Sequence, residues 1–487
     1  MSCAKRTHPN GAALNLLEID LFSMGSRGSR LAACALALLS ALSASAPVLA
    51  QQKTGPGITD HDALTFHGIT LYGVIDIGVQ YDTHSAPFSE YRPAASSNIV
   101  QKNSRQSVVG LTPSNMGQSR VGLQGIEPLA GDWSAVFRVE SFFNPQSGEI
   151  ADSLKSLTVN NGRTPATSSV GQDGSSAGQA FQTAFVGVNS KRFGTLTFGR
   201  QLTLLTEGTI KYDPNYDSTA FGLLGASNVY SGAGSSEDKR LDSMVKYDAT
   251  FNDLVHVGVL YQFNGSNGSS STAFQAVLGG QYAGFSADAY YSKVNDSITA
   301  ASLTAAQVAE LPALGYSVSN SLSATISDNT TYAVMALYAI DPLKFFAGYE
   351  HISYANPSTP LDAGFTDIGG YILAFVTNDA YANDKVLQVY WTGARYTVIP
   401  QLDLTAAYYG YHQDAYGTGK LAGCSTNAHS TCSGGFQAFS FDADYHFNKH
   451  FDAYAGAMYS GVHDGVANGY AFNTTNINPT IGARYKF

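Results

Sequence analysis

The sequence predicts an all-β protein, a sixteen-stranded antiparallel β-barrel that spans a membrane. Apolar and polar residues alternate over many short segments, as they do where lipid-facing and lumen-facing side chains take turns along a strand. Only 13% of the 487 residues are charged, yet the mean hydropathy is −0.07. After the N-terminal region there is no apolar run of about 20 residues, the length that a membrane-spanning helix needs. The many glycines and aromatic residues also favour a large β structure.

The N-terminal region, residues 1–50, is predicted to be an extension that ends in a cleaved signal peptide. Two arginines precede an apolar run over 31–42, and small residues then lead to Ala50, after which we expect the cut. Because acidic residues precede Met24, Met24 is a candidate for the true start. Cleavage would leave 51–64 as a short tether before the barrel.

The barrel is predicted to occupy residues 65–487, with strand-like segments separated by turns of two kinds. Short connections alternate with long ones that are rich in Ser, Gly, Asn and Thr, which is the layout of outer-membrane barrels. An even number of strands places both chain ends at the rim with the short turns. The predicted strands cover 65–82, 119–126, 132–144, 180–190, 194–206, 239–251, 253–264, 274–284, 285–296, 329–340, 342–355, 384–398, 401–415, 436–447, 450–463 and 475–487.

Strand alternation assigns inward and outward faces to these segments. An arginine or lysine that faced lipid at the middle of the bilayer would cost roughly 2–4 kcal/mol, so charged positions are predicted to point into a wet interior. A barrel of this size is wide enough to enclose an aqueous channel. The inward-facing charged residues that we single out are Asp76, Arg120, Arg138, Glu140 and Arg240, whereas Leu241 is expected to face lipid.

Two cysteines, Cys424 and Cys432, lie close together near the C-terminus. In an exported chain, a disulfide within one loop is the favoured interpretation. A metal site that includes His429 is the alternative, but two thiols and one imidazole lack a fourth ligand and the usual zinc spacing. We therefore predict a disulfide, with no metal and no cofactor.

Four short segments carry a resemblance to a known family. They are Leu71-Tyr72-Gly73-Val74-Ile75-Asp76, Ser119-Arg120-Val121-Gly122-Leu123-Gln124-Gly125, Ala184-Phe185-Val186-Gly187-Val188 and Phe193-Gly194-Thr195-Leu196-Thr197-Phe198-Gly199-Arg200-Gln201. In this order, and with a terminal phenylalanine, they resemble the general porins of Gram-negative bacteria, above all those of betaproteobacteria such as Burkholderia and Bordetella. The resemblance implies a homotrimer among the lipids of the bacterial outer membrane, in which each barrel is a passive pore for small hydrophilic solutes.

The resemblance also implies a constriction inside the barrel. In the family, the loop after the fifth strand folds inward and narrows the pore, and here that loop is about 207–238. Arg120 and Arg240 stand at two of the family's basic wall positions, but Gln182 and Val74 replace two others, so the basic wall is depleted. The acidic residues expected on the loop side are Glu207, Asp213 and Asp217.

Two further expectations concern assembly. Arg200 shares its strand parity with Leu196 and Phe198 and should therefore point outward. Because the family places the neighbouring wall at a subunit contact, we expect Arg200 at the subunit interface; a bulge that turns it inward is the alternative. The resemblance further makes Tyr485 and Phe487 part of the signal that the outer-membrane assembly machinery recognises.

The predicted function is passive diffusion through an outer-membrane porin, without enzymatic activity. A formal net charge of −10 argues against nucleic-acid binding. The alternatives are a channel specific for a sugar or an organic acid and, less favoured, an outer-membrane barrel enzyme, which would need a serine and a histidine placed together. The sequence leaves ion selectivity open, because inward acids favour cations and the three inward arginines oppose that preference.

Overall fold

The structure is a computed structural model, and its strands account for nearly all of the regular structure that it describes. The predicted signal peptide, nearly all of the tether and Asp217 lie outside the described residues. The described residues are 64–84, 107–146, 148, 180–216, 218–222, 240–263, 272–296, 299–300, 324–325, 328–358, 367–368, 371–372, 383–468, 470, 473–487.

Alternating β-branched, aromatic and polar residues form strands that pair with their neighbours in antiparallel hairpins. One α-helix, α1 (Leu204–Tyr212), follows the fifth spanning strand. The strands are β1 (Leu64–Phe66), β2 (Ile69–Asp82), β3 (Val108–Pro113), β4 (Arg120–Pro128), β5 (Trp133–Phe142), β6 (Thr183–Ser190), β7 (Gly194–Leu202), β8 (Arg240–Phe251), β9 (Val255–Gln262), β10 (Thr272–Tyr282), β11 (Phe285–Asn295), β12 (Thr299–Ala300), β13 (Ala324–Thr325), β14 (Asp328–Ile340), β15 (Leu343–Ala355), β16 (Asp367–Ile368), β17 (Tyr371–Ile372), β18 (Lys385–Ile399), β19 (Leu402–Gln413), β20 (Gly434–His446), β21 (Phe451–Asp464), β22 (Thr475–Ile477) and β23 (Thr480–Lys486). Short 3-10 helices cover Gly419–Leu421 and Gly465–Ala467.

The barrel closes between its first and last spanning strands, β2 and β23. Their pairing runs from Val74 opposite Lys486 to Gln80 opposite Thr480. The second spanning strand is split into β3 and β4, which both pair with β2, and the last is split into β22 and β23, which both pair with β21. Counted in this way, the closed antiparallel barrel has sixteen strands, which confirms the predicted fold class.

Burial follows the predicted alternation along most strands. In β2, Ile75 and Val79 are 40% and 44% exposed on the outer surface of the isolated barrel, whereas Asp76 and Gln80 are fully buried. Since the outer surface of such a barrel faces lipid, exposed apolar side chains there need no protein partner. The polar inward positions are thus available to hold other segments of the chain inside the barrel.

Leu241 departs from its predicted outward face. It is only 5% exposed and belongs to the buried apolar cluster inside the barrel. The register between β7 and β8 shifts between Gly199 and Gln201, and Ser243 adopts a φ of 52°. An extra residue in β8 exchanges the two faces of the strand on either side of the irregularity, so parity counted from the sequence fails there.

The first long connection, predicted at 83–118, also needs correction because it contains β3. After Pro113 the chain leaves the sheet at Ser114, which has a φ of 61°, and returns at Arg120 as β4. We call residues 114–119 the docking turn. Among the described residues, no helix has both the length and the apolar character needed to cross a bilayer.

Candidate functional site: a strap inside the barrel and the wall opposite it

The segment that follows β7 lies against the inner wall of the barrel. We call its described residues, 203–216 and 218–222, the strap. Thr203 caps α1, because its hydroxyl accepts a hydrogen bond from the Thr206 amide at 3.2 Å. The helix contacts β9, β10, β11, β14 and β15. Gly208 permits this approach, since a Cβ atom at that position would lie 2.5 Å from the Tyr290 ring.

The helix is fixed to the wall by an apolar face and by ion pairs. Leu204, Leu205 and Tyr212 are at most 1% exposed and belong to the large buried apolar cluster of the inner wall. On the polar side, Lys211 Nζ lies 3.0 Å from Asp288 Oδ2 on β11. Further along the helix face, Lys246 Nζ on β8 lies 2.6 Å from Glu207 Oε1.

Beyond the helix, the strap continues along β18, β19 and β20. Trp391 Nε1 donates to the Tyr212 carbonyl oxygen at 3.0 Å, and Arg395 Nη2 donates to the Pro214 carbonyl oxygen at 2.7 Å. Tyr409 donates its hydroxyl hydrogen to Asp213 Oδ1 at 2.6 Å. These contacts attach the strap mainly through its backbone carbonyls.

The far end of the strap meets the docking turn. Ser218 Oγ donates to the Asn115 carbonyl oxygen at 2.7 Å, and the Ala220 amide donates to the same oxygen at 3.0 Å. Thr219 Oγ1 donates to the Ser114 carbonyl oxygen at 2.5 Å. The strap therefore follows the inner wall from β8 to β21 and ends beside β2, opposite the strands β4 to β6.

The wall formed by β2, β4, β5 and β6, with the first residue of β8, carries a different set of side chains, which we call the arginine arc. Its members are Tyr72, Arg120, Arg138, Glu140, Thr183 and Arg240. Arg120 Nε lies 3.3 Å from Glu140 Oε2, and Arg240 Nη2 lies 3.5 Å from Glu140 Oε1. Tyr72 and Thr183 also donate to the Glu140 carboxylate, at 2.9 and 3.3 Å. One carboxylate thus gathers two guanidinium groups on the inner wall.

Arg138 adds a third guanidinium group to this arc. Its Nη2 donates to Gln124 Oε1 at 2.8 Å, and its guanidinium carbon lies 5.7 Å from the centroid of the Tyr72 ring. Arg120 keeps 34% of its side chain exposed, compared with 6% for Glu140. With three arginines and one glutamate, the named charges of the arc sum to a net positive charge that is accessible from the lumen.

These observations can be set beside known proteins. The family model described as Gram-negative porin matches residues 32–465. The chain belongs to this family. This chain is 29% identical to an outer membrane porin protein of Bordetella pertussis over 199 residues. The aligned residues cover 41% of this chain and 43% of that relative. The alignment thus spans less than half of the relative's length.

Solved structures show the same fold. The anion-selective porin from Comamonas acidovorans is 17% identical, with a TM-score of 0.54, and the match covers 86% of this porin and 99% of that chain. OmpT of Vibrio cholerae in a trimer form is 15% identical, with a TM-score of 0.52 over 86% and 99% of the two chains. Membership of the Gram-negative porin family places the porin in the bacterial outer membrane.

The structure separates the site residues predicted from the sequence into two groups. Arg120, Arg138, Glu140 and Arg240 lie together in the arginine arc, while Glu207 lies on the strap with 42% of its side chain exposed. Asp76 and Asp213 have no exposed surface, so neither touches channel water directly. Their carboxylates hold the docking turn and the strap instead, which corrects the expectation that they line the pore.

Arg200 is engaged within its own subunit. It is 9% exposed, and its Nη1 lies 2.8 Å from Asp242 Oδ1 and 2.9 Å from the Arg240 carbonyl oxygen. The preceding Gly199 has a φ of 124°, at the register shift between β7 and β8. The irregular backbone and the ion pair explain why simple parity does not describe the environment of this arginine.

Sequence reasoning did not single out several residues that hold the strap. Lys211 belongs to the strap and pairs with the wall, while Tyr409 and Arg395 lie on the wall and donate hydrogen bonds to the strap. The available sequence signal for Tyr409 and Arg395 was their inward parity on β19 and β18. The docking turn was missed because its carbonyl acceptors leave no mark in the sequence. Any residue type supplies the same backbone oxygen.

Near the last strand, a second charged cluster joins β20, β21 and β23. Ligand atoms of Asp444, His446 and Asp452 lie within 4.8 Å of one another. Arg484 Nη2 already lies 3.0 Å from Asp444 and 2.7 Å from Asp452, and Lys486 Nζ lies 2.8 Å from Asp452. Protein cations therefore bind these carboxylates, so the cluster is explained as an ion-pair network that helps to close the barrel.

Cys424 and Cys432 form a disulfide in the structure. The bond lies in the connection between β19 and β20, just after the 3-10 helix Gly419–Leu421, and closes a short loop over 424–432. The imidazole of His429 instead contacts the Thr431 hydroxyl at 2.9 Å. The bridge lies in a loop that is separate from both the strap and the arginine arc.

Proposed function

We propose that this porin forms a water-filled outer-membrane channel for the passive diffusion of small hydrophilic solutes and ions. The observation that carries the proposal is the arrangement inside a closed sixteen-strand barrel, where a strap lies against one side of the wall and charged arginines occupy the other. A permeating solute passes between these two surfaces. Family membership supports a channel rather than an enzyme.

We further propose that the arginine arc favours small anions at the narrowest point. Arg120, Arg138 and Arg240 outnumber Glu140, so the wall has a positive field that confinement in the barrel strengthens. On the strap, the exposed Glu207 is paired with Lys246, which limits the opposing negative charge. The relative from Comamonas acidovorans is described as anion-selective, which agrees with this direction.

The porin is proposed to assemble as a homotrimer, as the trimer form of the Vibrio cholerae neighbour suggests. In unboiled electrophoresis, purified protein should migrate as an oligomer that dissociates on heating and has a β-rich circular dichroism spectrum. A role for Arg200 at the subunit interface stays a prediction. If it holds, Arg200→Ala trimers dissociate at a lower temperature than wild type, while an unchanged dissociation temperature removes Arg200 from the interface.

Planar bilayer recording tests the channel itself. We expect stepwise conductance increments that grow roughly in proportion to salt concentration without saturating. Saturation by a particular sugar or organic acid would instead support the substrate-specific channel. Absence of conductance steps from folded, oligomeric protein would contradict the proposed function.

A further inference from the structure

We propose that the docking turn is a built receptor for the far end of the strap, and that Asp76 is the positioning residue that shapes this receptor. The inference rests on the proposed channel function, because it concerns what keeps the passage at a constant width. It assigns a role to a buried carboxylate that has no contact with the channel water.

Asp76 organises the docking turn from within the wall. Its Oδ2 accepts hydrogen bonds from the amides of Met116 and Gly117 at 2.7 and 2.9 Å. Its backbone amide donates to Ser119 Oγ at 3.0 Å, and its carbonyl oxygen accepts from the Ser114 amide at 2.8 Å. Hydrogen bonds to a buried carboxylate are stronger than those between neutral groups. One residue thus fixes both ends and the middle of the turn.

The turn then presents two backbone carbonyls to the strap. The Asn115 carbonyl oxygen receives the hydroxyl of Ser218 and the amide of Ala220, and the Ser114 carbonyl oxygen receives the hydroxyl of Thr219. These donors and acceptors are all buried. Because a buried carbonyl or amide without a partner is costly, the strap end and the turn satisfy each other only when they are docked.

An apolar contact and a tyrosine complete the receptor. Met116, Ala220, Phe221 and Tyr454 form a separate buried cluster, in which the rings of Phe221 and Tyr454 meet edge to face at 6.2 Å. The Tyr454 hydroxyl donates to Asp76 Oδ1 at 2.5 Å. The same hydroxyl accepts from Asn115 Nδ2 at 3.1 Å. Asp76 therefore aligns the apolar and the polar halves of the contact.

This arrangement has a consequence for the channel. The wall side of the passage is rigid because the arginine arc belongs to paired strands, so variation in width has to come from the strap. The helix holds the first half of the strap, and the docking turn holds the second. Loosening the turn should let residues 218–222 leave the wall and disturb the current.

Asp82 provides a matched control for Asp76. Both carboxylates belong to β2 and are fully buried on its inward face. Asp82 binds Gln80 Nε2 and Asn476 Nδ2, each at 2.8 Å, and takes no part in the docking turn. Asp76→Asn and Asp82→Asn therefore make the same chemical change at two equally buried positions of one strand.

The test uses a thiol reporter and current recording on the full-length porin. Ala220→Cys places a thiol at a position with no exposed surface, while the disulfide-bonded cysteines do not react without reductant. The other two cysteines, Cys3 and Cys34, are replaced by serine in every variant, so that the reporter is the only free thiol. In this background, Asp76→Asn should raise the rate of labelling by a small methanethiosulfonate reagent about tenfold or more, as expected for the loss of a charged hydrogen bond. It should also increase open-channel current noise, whereas Asp82→Asn should change neither.

A second variant tests the strap side without altering the barrel wall. Ser218→Ala combined with Thr219→Val removes both hydroxyl donors and nearly keeps side-chain volume, so a barrel that fails to fold is not expected. It should reproduce the faster labelling and the added noise. Wild-type-like labelling in both the Asp76→Asn and the double variant would overturn the receptor, even if the wild type conducts. Loss of conductance in the wild type would instead count against the proposed function.

Discussion

Inward and outward residues alternate along the strands on both sides of the barrel interior, but the inward residues have different roles on the two sides. On the side from β9 to β21, inward positions such as Leu260, Met335 and Ile352 are fully buried and form one apolar cluster with the strap. On the side from β4 to β8, inward positions carry arginines, and Arg120 keeps a third of its side chain exposed. Under the strap, the inward side chains form an apolar cluster with individual charged contacts such as Lys211 to Asp288, whereas the arginine arc consists of polar and charged side chains, among which Arg120 is partly exposed.

The comparison separates structural from functional substitutions. Removing an apolar side chain on the strap side leaves a cavity, and the lost burial lowers stability. Removing the charge of Arg120 changes the field in the channel, while stability changes little because a third of this side chain is exposed and Arg240 still pairs with Glu140. Mutations on the two sides should therefore give different kinds of phenotype.

Both sides of the interior form only if the barrel closes, so a variant that impairs closure should have the largest effect on the porin. Phe487 pairs its backbone with Gly73, through N–O distances of 2.9 and 3.1 Å, and its ring lies against the same glycine. Deleting Phe487 should lower the amount of porin in the outer membrane several-fold. The single-channel conductance of the fraction that inserts should equal that of wild type. Normal membrane levels of the deletion variant would refute the assembly role.

On the strap side, Leu205→Ala should destabilise the docked strap by about 2–5 kcal/mol, because the side chain is 1% exposed within the apolar cluster. Trp391 reports on docking through its hydrogen bond to the Tyr212 carbonyl oxygen. The chain has two tryptophans, so Trp133→Phe leaves Trp391 as the sole tryptophan, which can be excited selectively. Its emission should shift to the red at a lower urea concentration in Leu205→Ala.

The control for this measurement is Leu278→Ala, which removes the same atoms from an outward position of β10 that is 63% exposed. It should leave the urea dependence of Trp391 emission close to that of the parent. Equal shifts in the two variants would mean that the strap does not depend on the apolar cluster.

On the arginine arc, Glu140→Gln should shift selectivity toward anions. The substitution removes the one carboxylate among the named charges, while the amide oxygen can still accept the Tyr72 hydrogen bond. The reversal potential in a salt gradient is the readout, and we expect a modest shift. A shift toward cations would contradict the assignment of this arc to the passage.

The disulfide loop lies outside both sides, so its disruption should have the smallest effect. Cys424→Ser with Cys432→Ser should leave conductance, selectivity and the Trp391 urea profile unchanged. Altered selectivity would show that this loop reaches the passage.

The two sides of the barrel interior could be predicted from the sequence to different extents. Most of the arginine arc could be predicted because alternation places Arg120, Arg138 and Glu140 inward, and the cost of a charge in lipid excludes the opposite assignment. Arg240 lies beyond the bulge in β8, where counted parity fails, so the structure and not the alternation explains its contact with Glu140. The barrel and its strand number were predicted by the same periodicity, since each strand repeats one rule.

The strap could not be predicted in the same way. Its attachment uses the backbone carbonyls of Tyr212, Pro214, Ser114 and Asn115, which carry no residue signature. The split of the second spanning strand left β3 inside a predicted loop, and the bulge in β8 placed Leu241 on the wrong face, because both features break the period of two. Where the backbone is irregular, counting residues along the strand does not give the face on which a side chain lies.

The reversal potential at low salt tests the central claim most directly, namely that the arginine arc borders the passage. Arg120→Ala and Arg240→Ala should each shift selectivity toward cations, and the shift should shrink at high salt because screening weakens the field. Arg192→Ala, which removes an arginine from the turn between β6 and β7, is the control and should leave the potential unchanged. Reversal potentials of the Arg120 and Arg240 variants that match wild type at low salt would show that these arginines do not border the passage.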